Sequence, residues 1–227
     1  RQMCIRDRSN RWQHTGCCLL LDPATHGIPN NIEACLSSEQ AQVILAELET
    51  NGFEGAVKVE LNDVHLNPPL KNINKVICIG KNYADHAREM GGEPPEIPVV
   101  FSIFPSAIIG SGENVVLPEI SSQVDYEAEL VVVIGKSARH VSREQAMDHV
   151  FGYCCGNDIS ARDWQKGKPG GQWLLGKTFD TFAPLGPYIV TKNEIEDPHQ
   201  LNVCCRLCGW QQIVQNGAYA AMFGLPR

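Results

Sequence analysis

The chain has 227 residues, with 19 Lys and Arg against 26 Asp and Glu, and a formal charge of −7 at pH 7. It is 43% hydrophobic and 20% charged. That is ordinary globular composition, with length for one large domain or a small domain beside a larger one. The negative charge argues against a broad nucleic-acid or anionic-membrane surface. No apolar run approaches the roughly 18 residues that a membrane span requires.

Residues 1–9, RQMCIRDRS, are Arg-rich and lack the apolar centre of a secretory signal. They resemble a short mitochondrial presequence or a stray translated end, and are left out of the expected fold. Residues 37–49, SSEQAQVILAELE, combine a Ser cap with good helix formers. Val43, Ile44, Leu45 and Leu48 supply the expected apolar face. Asn67-Pro68-Pro69 is a turn or linker. It sets the expected boundary between an N-terminal segment, residues 1–70, and a larger domain, residues 71–227.

Residues 75–80, KVICIG, read as a short buried strand closed by Gly. Residues 82–90, NYADHAREM, read as a turn of helix. His86 and Glu89 are three apart there, hence on one helical face. The Gly- and Pro-rich loop behind them has the character of a lid. Strands are expected at 99–104 and within 107–117, after a turn at Ser111-Gly112. A Ser-capped helix is expected at 142–150. A strand at 151–155 leads to Asp158, followed by a short helix at 160–165 and a basic loop at 166–171. Residues 173–179, WLLGKTF, place Lys177 among apolar neighbours. Strands are expected at 183–190 and 201–207, and residues 211–227 are weakly patterned. With strands in the majority and no regular βαβ alternation, the expected class is α+β, rich in β.

Ten cysteines include the adjacent pairs Cys17–Cys18, Cys154–Cys155 and Cys204–Cys205. Neighbours on a strand point to opposite faces, so these pairs suggest no disulfide framework. The one CxxC, Cys205 to Cys208, lacks the second ligand pair of a zinc site. Buried reduced thiols are the simpler reading.

The strongest chemical signal is residues 124–133, VDYEAELVVV. Read as one strand, it sends Glu127 and Glu129 to the same face, since residues i and i+2 share a face. Asp158 stands at the mouth of a second apolar run. Three carboxylates at strand mouths suit a hard divalent cation, which prefers oxygen ligands. Each reading has a plain rival. An ExE pair also occurs on solvated strand ends. His86 reads equally as a surface or capping residue, and Lys177 as a lysine snorkelling from an apolar strand. Arg162 and Asp163 read as a structural ion pair, and Trp164 and Trp173 as core or dimer contacts.

Taken together, KVICIGKNYADHAREM, VDYEAELVVVIGK, GYCCGNDISARDWQ, WLLGKTFDTFAPLGP and DPHQL resemble the fumarylacetoacetate hydrolase family, nearest its domain-containing protein 2 group. The resemblance covers about residues 75–206. It implies the family's β-rich roll of mixed sheet, a Mg²⁺, Mn²⁺ or Ca²⁺ site, a homodimer, and a mitochondrial or cytosolic location. It implies Glu127, Glu129 and Asp158 as metal ligands and His86, Glu89 and Lys177 as catalytic residues. It implies Arg162, Gln165 and Tyr83 as substrate contacts. The implied activity is hydrolysis of a C–C bond in a small oxo-acid such as an acylpyruvate. Decarboxylation of a β-oxo acid such as oxaloacetate at the same site is an alternative. A non-catalytic, truncated metal-binding homologue is another.

Two departures from the family pattern bear on this. Ile103 stands where many relatives carry a lysine in an FxK pattern. The family's TGTPxGV loop is missing from the sequence, so the expected fold is incomplete at its C-terminal side.

Overall fold

The computed structural model describes residues 4–5, 17–70, 72–83, 95–206 and 213–218. Short strands dominate, and the helix Glu39–Thr50 alone exceeds five residues among the α-helices described. The class is α+β and strand-rich, as the sequence suggests. Both parallel and antiparallel pairs occur.

Three capped helices open the described chain. Asp22, Asn31 and Ser38 accept hydrogen bonds from Ala24 N, Ala34 N and Ala41 N, starting the helices Pro23–His26, Ile32–Leu36 and Glu39–Thr50. Such caps satisfy amide donors that a helix leaves unpaired at its start. Ala41, Ile44, Leu45 and Leu48 share one helical face. They pack with Leu21, Ile28, Cys35 and Phe53. Val43 breaks that i, i+3, i+4, i+7 pattern and is 55% exposed, so the expected apolar face is corrected at that residue. A three-stranded antiparallel sheet joins Cys4–Ile5, Cys17–Leu20 and Val57–Glu60. Part of the leading segment set aside in the sequence reading therefore pairs with the fold.

The strands Ile77–Gly80 and Val99–Ser102 form an antiparallel pair. This pair is not buried on both faces as expected, because Ile77 and Val100 remain exposed. A two-stranded antiparallel unit can leave one face in solvent. Gly80 has a packing reason. A Cβ there would meet the Trp173 ring at 2.3 Å. Residues 105–109 bring a 3₁₀ turn and the short strand Ile108–Ile109, which pairs in parallel with Ala183–Pro184. The turn at Ser111-Gly112 is present, but no strand follows it within 113–117.

The centre of the fold is an antiparallel sheet of Ala128–Ile134, Val150–Asn157 and Val190–Thr191. Val133 and Cys154 pack there with Leu36, Leu70 and Leu185. A second cluster, Ile159, Ala161 and Phe182, packs against Trp164 and Phe179. The expected single strand over 124–133 is broken. Val124–Asp125 pairs with Ser160–Ala161, whereas the chain from Ala128 pairs with Val150–Asn157. Tyr126 and Glu127 lie at the switch between the two ladders.

Other differences have local causes. Residues 142–150 form a turn and the 3₁₀ helix Ala146–His149 rather than an α-helix. So short a segment does not hold an α-helix without an apolar face to bury. Trp173–Lys177 is helical, so Lys177 does not project from a strand. Residues 183–190 split into two short strands around Pro184 and Pro187, which lack the N–H that a ladder needs. Residues 213–218 form a strand paired with Asn202–Arg206, although their sequence pattern is weak. Among the described residues no helix is long and apolar enough to cross a membrane.

Candidate active site

The strand break places Glu127. Its backbone N donates to Asn157 Oδ1 at 3.0 Å, and its carbonyl accepts from Asp158 N at 2.9 Å. Glu127 and Asp158 are thus tied to each other through the backbone. Glu129 lies on the following strand, opposite Gly156. The i, i+2 argument covers only Glu129. Glu127 comes to the same place because the chain changes partners there.

Lys177 ends its helix and is the largest side chain buried to this degree, 1% exposed. Its Nζ donates to Glu127 Oε2 at 2.8 Å, Asp158 Oδ2 at 2.6 Å and Ser160 Oγ at 2.8 Å. All three ammonium hydrogens are therefore spent. The Phe101 ring lies on another side, its centroid 5.2 Å from Nζ. The depth of Lys177 is set by Gly176. A Cβ at Gly176 would come within 2.7 Å of the Gln165 backbone, so the helix Trp173–Lys177 rests on Arg162–Gln165 by backbone contact.

Arg162 holds the other side of Glu127. Its Nε and one terminal nitrogen donate to Asp125 Oδ2 at 3.0 and 2.7 Å. The other donates to Glu127 Oε1 at 2.5 Å and Gln165 Oε1 at 3.0 Å. Asp163, read as its partner in the sequence, instead accepts from Ser121 Oγ at 2.6 Å. Tyr83 is buried. Its hydroxyl accepts from Leu130 N at 3.3 Å and hydrogen-bonds the Glu129 carboxyl. Of the residues expected at a substrate, Arg162 and Tyr83 thus contact the carboxylate cluster itself, and Gln165 reaches it only through Arg162. Trp164 packs edge-on against Phe179, and Trp173 against Phe101. His86 and Glu89 lie outside the described residues.

The electrostatics are unbalanced. Burial raises Glu127, but Lys177 and Arg162 outweigh it and hold this carboxyl below its ordinary value. Burial, then the charges of Glu127 and Asp158, push Glu129 up to about 8. Burial pushes Asp158 up to about 6 against the pull of Lys177. Among the described residues, buried Asp158 and partly buried Glu127 and Glu129 face one ammonium and a guanidinium shared with Asp125. Asp158 Oδ1 is buried with no hydrogen-bond partner among the described residues. A buried carboxylate oxygen of this kind is costly unless something positive meets it.

This donor set fits a hard divalent cation in chemistry: oxygen ligands, excess negative charge and one unused buried oxygen. Among the described residues no three such side chains already stand at metal-holding spacing. Lys177 and Arg162 each engage one oxygen of Glu127.

Sequence reasoning missed Ser160, Asp125, Asn157 and Cys78. The first three lie inside the stretches that flank the carboxylates. Their signal was a polar residue at a strand end, too common to single out. Cys78 feels the charges of Asp158, Lys177, Glu129 and Glu127, while burial, the larger cause, pushes its thiol up to about 12.

Comparison with known proteins bears on the family and the fold. The fumarylacetoacetate (FAA) hydrolase C-terminal family matches residues 75–226. Oxaloacetate tautomerase FAHD2A, mitochondrial, of Bos taurus is 51% identical over 148 residues, 65% of this chain and 47% of that protein. The fumarylacetoacetate hydrolase domain-containing protein 2 homolog of Dictyostelium discoideum is 42% identical over 201 residues, 85% of this chain and 65% of that protein. The chain spans about half the length of the mammalian relatives it matches. The crystal structure of maleylpyruvate hydrolase from Sphingobium sp. SYK-6, with manganese(II) ion and pyruvate, superposes with a TM-score of 0.72. It is 26% identical, and the match covers 92% of this chain and 73% of that one. The switch between ladders at Glu127 thus lies inside a known architecture, and the chain belongs to the fumarylacetoacetate hydrolase family.

Proposed function

We propose that this chain is an enzyme of small oxo-acids, working at a divalent-cation site held by Glu127, Glu129 and Asp158. Asp158 Oδ1, without a hydrogen-bond partner among the described residues and beside the largely buried Glu127 and Glu129, carries the reading. Mg²⁺ is the first candidate, with Mn²⁺ and Ca²⁺ as alternatives. Bound there, the cation supplies Lewis-acid stabilisation of negative charge on a substrate oxygen.

The chain's own residues do the rest. Lys177 and Arg162 keep Glu127 ionised and in place. Tyr83 orients Glu129. His86 is proposed to take a proton from substrate or water, with Glu89 orienting its ring. The Arg162–Gln165 helix supports Glu127 from the side opposite Lys177, and positions the carboxylates more than it meets substrate.

Hydrolysis, decarboxylation and keto–enol interconversion of an oxo-acid all pass through negative charge beside a carbonyl. We favour keto–enol interconversion of a small dicarboxylic oxo-acid such as oxaloacetate. It asks only that a proton move between carbon and oxygen, and relatives near 50% identity carry that name. Hydrolysis of a C–C bond is the second reading, supported by the likeness to maleylpyruvate hydrolase. The proposal extends to a homodimer, to a boundary near residue 70, and to a mitochondrial location, which the relatives' names support.

The test is oxaloacetate in deuterated buffer with Mg²⁺ or Mn²⁺, followed by proton NMR. Accelerated loss of the C3 protons without a cleaved product supports the tautomerase. Pyruvate formation supports a lyase. Cleavage of an acylpyruvate supports the hydrolase. No acceleration of any of these, with metal bound, supports a non-catalytic homologue.

A further inference from the structure

We infer that Lys177 is a built-in rival of the divalent cation: its ammonium is fastened between Glu127 and Asp158 by Ser160, and must yield before the cation is held. The inference rests on the carboxylate site proposed above and concerns what sets its affinity.

The hydrogen-bond geometry carries it. Lys177 has three N–H groups and spends all of them within this cluster. Two go to carboxylates of the proposed ligand set. The third goes to Ser160, whose side chain is fully buried. Ser160 Oγ donates its own hydrogen to the Asp158 carbonyl at 3.0 Å. Its lone pairs therefore face the ammonium, and the hydroxyl acts as a fixed acceptor. The seat is specific for a cation with three donors.

The same oxygens cannot serve both charges fully. A carboxylate oxygen at 2.6 Å from Nζ is engaged in a strong charge-assisted hydrogen bond. A divalent ion beside it would meet like-charge repulsion in a poorly screened interior. Glu127 is doubly engaged, with Arg162 on its other oxygen.

The Phe101 ring offers a place for the displaced ammonium. The Phe101 ring lies 5.2 Å from Nζ, and Trp173 braces that ring edge-on at 5.5 Å. An aromatic face accepts an ammonium favourably. A small swing of the Lys177 side chain toward Phe101 relieves Asp158 Oδ2 and Glu127 Oε2 together. Ser160 sets how much that swing costs, and so acts as a positioning residue for Lys177.

The test is calorimetric titration of Mn²⁺ into four proteins: wild type, Lys177→Met, Ser160→Ala and Glu127→Gln. Melting curves in EDTA and in excess Mn²⁺ accompany each titration. Lys177→Met removes the rival charge and keeps the stem. Its Mn²⁺ dissociation constant is expected to fall by about tenfold or more, as like-charge repulsion is removed. Its melting point in EDTA falls, and the rise on adding Mn²⁺ grows. Ser160→Ala loosens the ammonium without removing it. It is expected to bind Mn²⁺ about threefold more tightly, the scale of one net hydrogen bond. This variant keeps the inference open to test if Lys177→Met does not fold. Unchanged or weaker binding in the folded variants, while Glu127→Gln binds less than wild type, overturns the rivalry and spares the site. Equal binding by Glu127→Gln and wild type, or no binding by any of the four, overturns the site and the inference with it.

Discussion

The Lys177 ammonium lies 2.6 Å from Asp158 Oδ2, and Oδ1 of the same carboxylate is buried with no hydrogen-bond partner among the described residues. One half of this side chain is strongly satisfied and the other half is met by none of them. Removing Lys177 leaves two buried carboxylates without their common counter-ion. Breaking a buried pair by deleting one member costs about 3–5 kcal/mol. Lys177→Met is therefore expected to lose about that much stability in metal-free urea unfolding. A loss below 1 kcal/mol would mean that the ammonium is not the counter-ion of this cluster.

Arg162 is the second clamp. It joins Asp125, Glu127 and Gln165, and its side chain is 21% exposed. Arg162→Leu frees Glu127 on one side and leaves Gln165 buried without that donor. The expected cost is about 1–3 kcal/mol, the scale of an unsatisfied buried polar group. Chemical denaturation checks this. The same substitution is expected to weaken Mn²⁺ binding, because Glu127 loses its orientation.

Gly176 controls how deep Lys177 sits. An added Cβ would meet Gln165 N at 2.6 Å, and backbone cannot move aside as a side chain can. Gly176→Ala is expected to destabilise the chain by about 1–3 kcal/mol through overpacking. Thermal unfolding reads the loss. An unperturbed melting point would show that the two short helices are not in backbone contact.

The sequence made some of this legible and hid the rest. The Ser cap and the apolar residues 43, 44, 45 and 48 located the long helix, because capping and amphipathic period are local properties, although Val43 faces solvent and Ala41 takes its place. Glu127, Glu129 and Asp158 were legible as a group only through the strand-mouth pattern taken with the order of the surrounding motifs, since an ExE pair alone also occurs on solvated strand ends. The reason offered for Glu127 was incomplete. Its position depends on a change of strand partner between Asp125 and Ala128, which no local period encodes. Arg162 read as a substrate contact or the partner of Asp163, and Lys177 as a catalytic or snorkelling lysine, because a cation in a motif does not announce which carboxylate it meets. Ser160 was passed over for the same reason. Its hydroxyl matters only once Lys177 arrives from 17 residues away. The strand at 213–218 was missed because ladder pairing, rather than side-chain pattern, supports it.

Cys78 and Cys154 give a pH-dependent prediction. Burial is the larger cause for both, and each thiol is pushed from 9.0 up to about 12. A raised folded pKa means that the stability tied to the bound proton is fully present below the unfolded value. It is lost as pH rises from about 9 through about 12. At pH 8 both thiols keep their protons, and the thiolate is the nucleophile. Iodoacetamide at pH 8 is expected to spare both in the folded chain and to modify both in urea. Mass spectrometry of the labelled peptides reads the difference, and rapid labelling of either in the folded state would contradict their placement.

The most direct measurement is Mn²⁺ binding, followed by calorimetry, in the wild type beside the double variant Glu127→Ala/Glu129→Ala. The expected result is stoichiometric binding to the wild type and none to the double variant, with both proteins folded by circular dichroism. Equal binding to both would contradict the central claim that the carboxylates at the strand switch hold the cation.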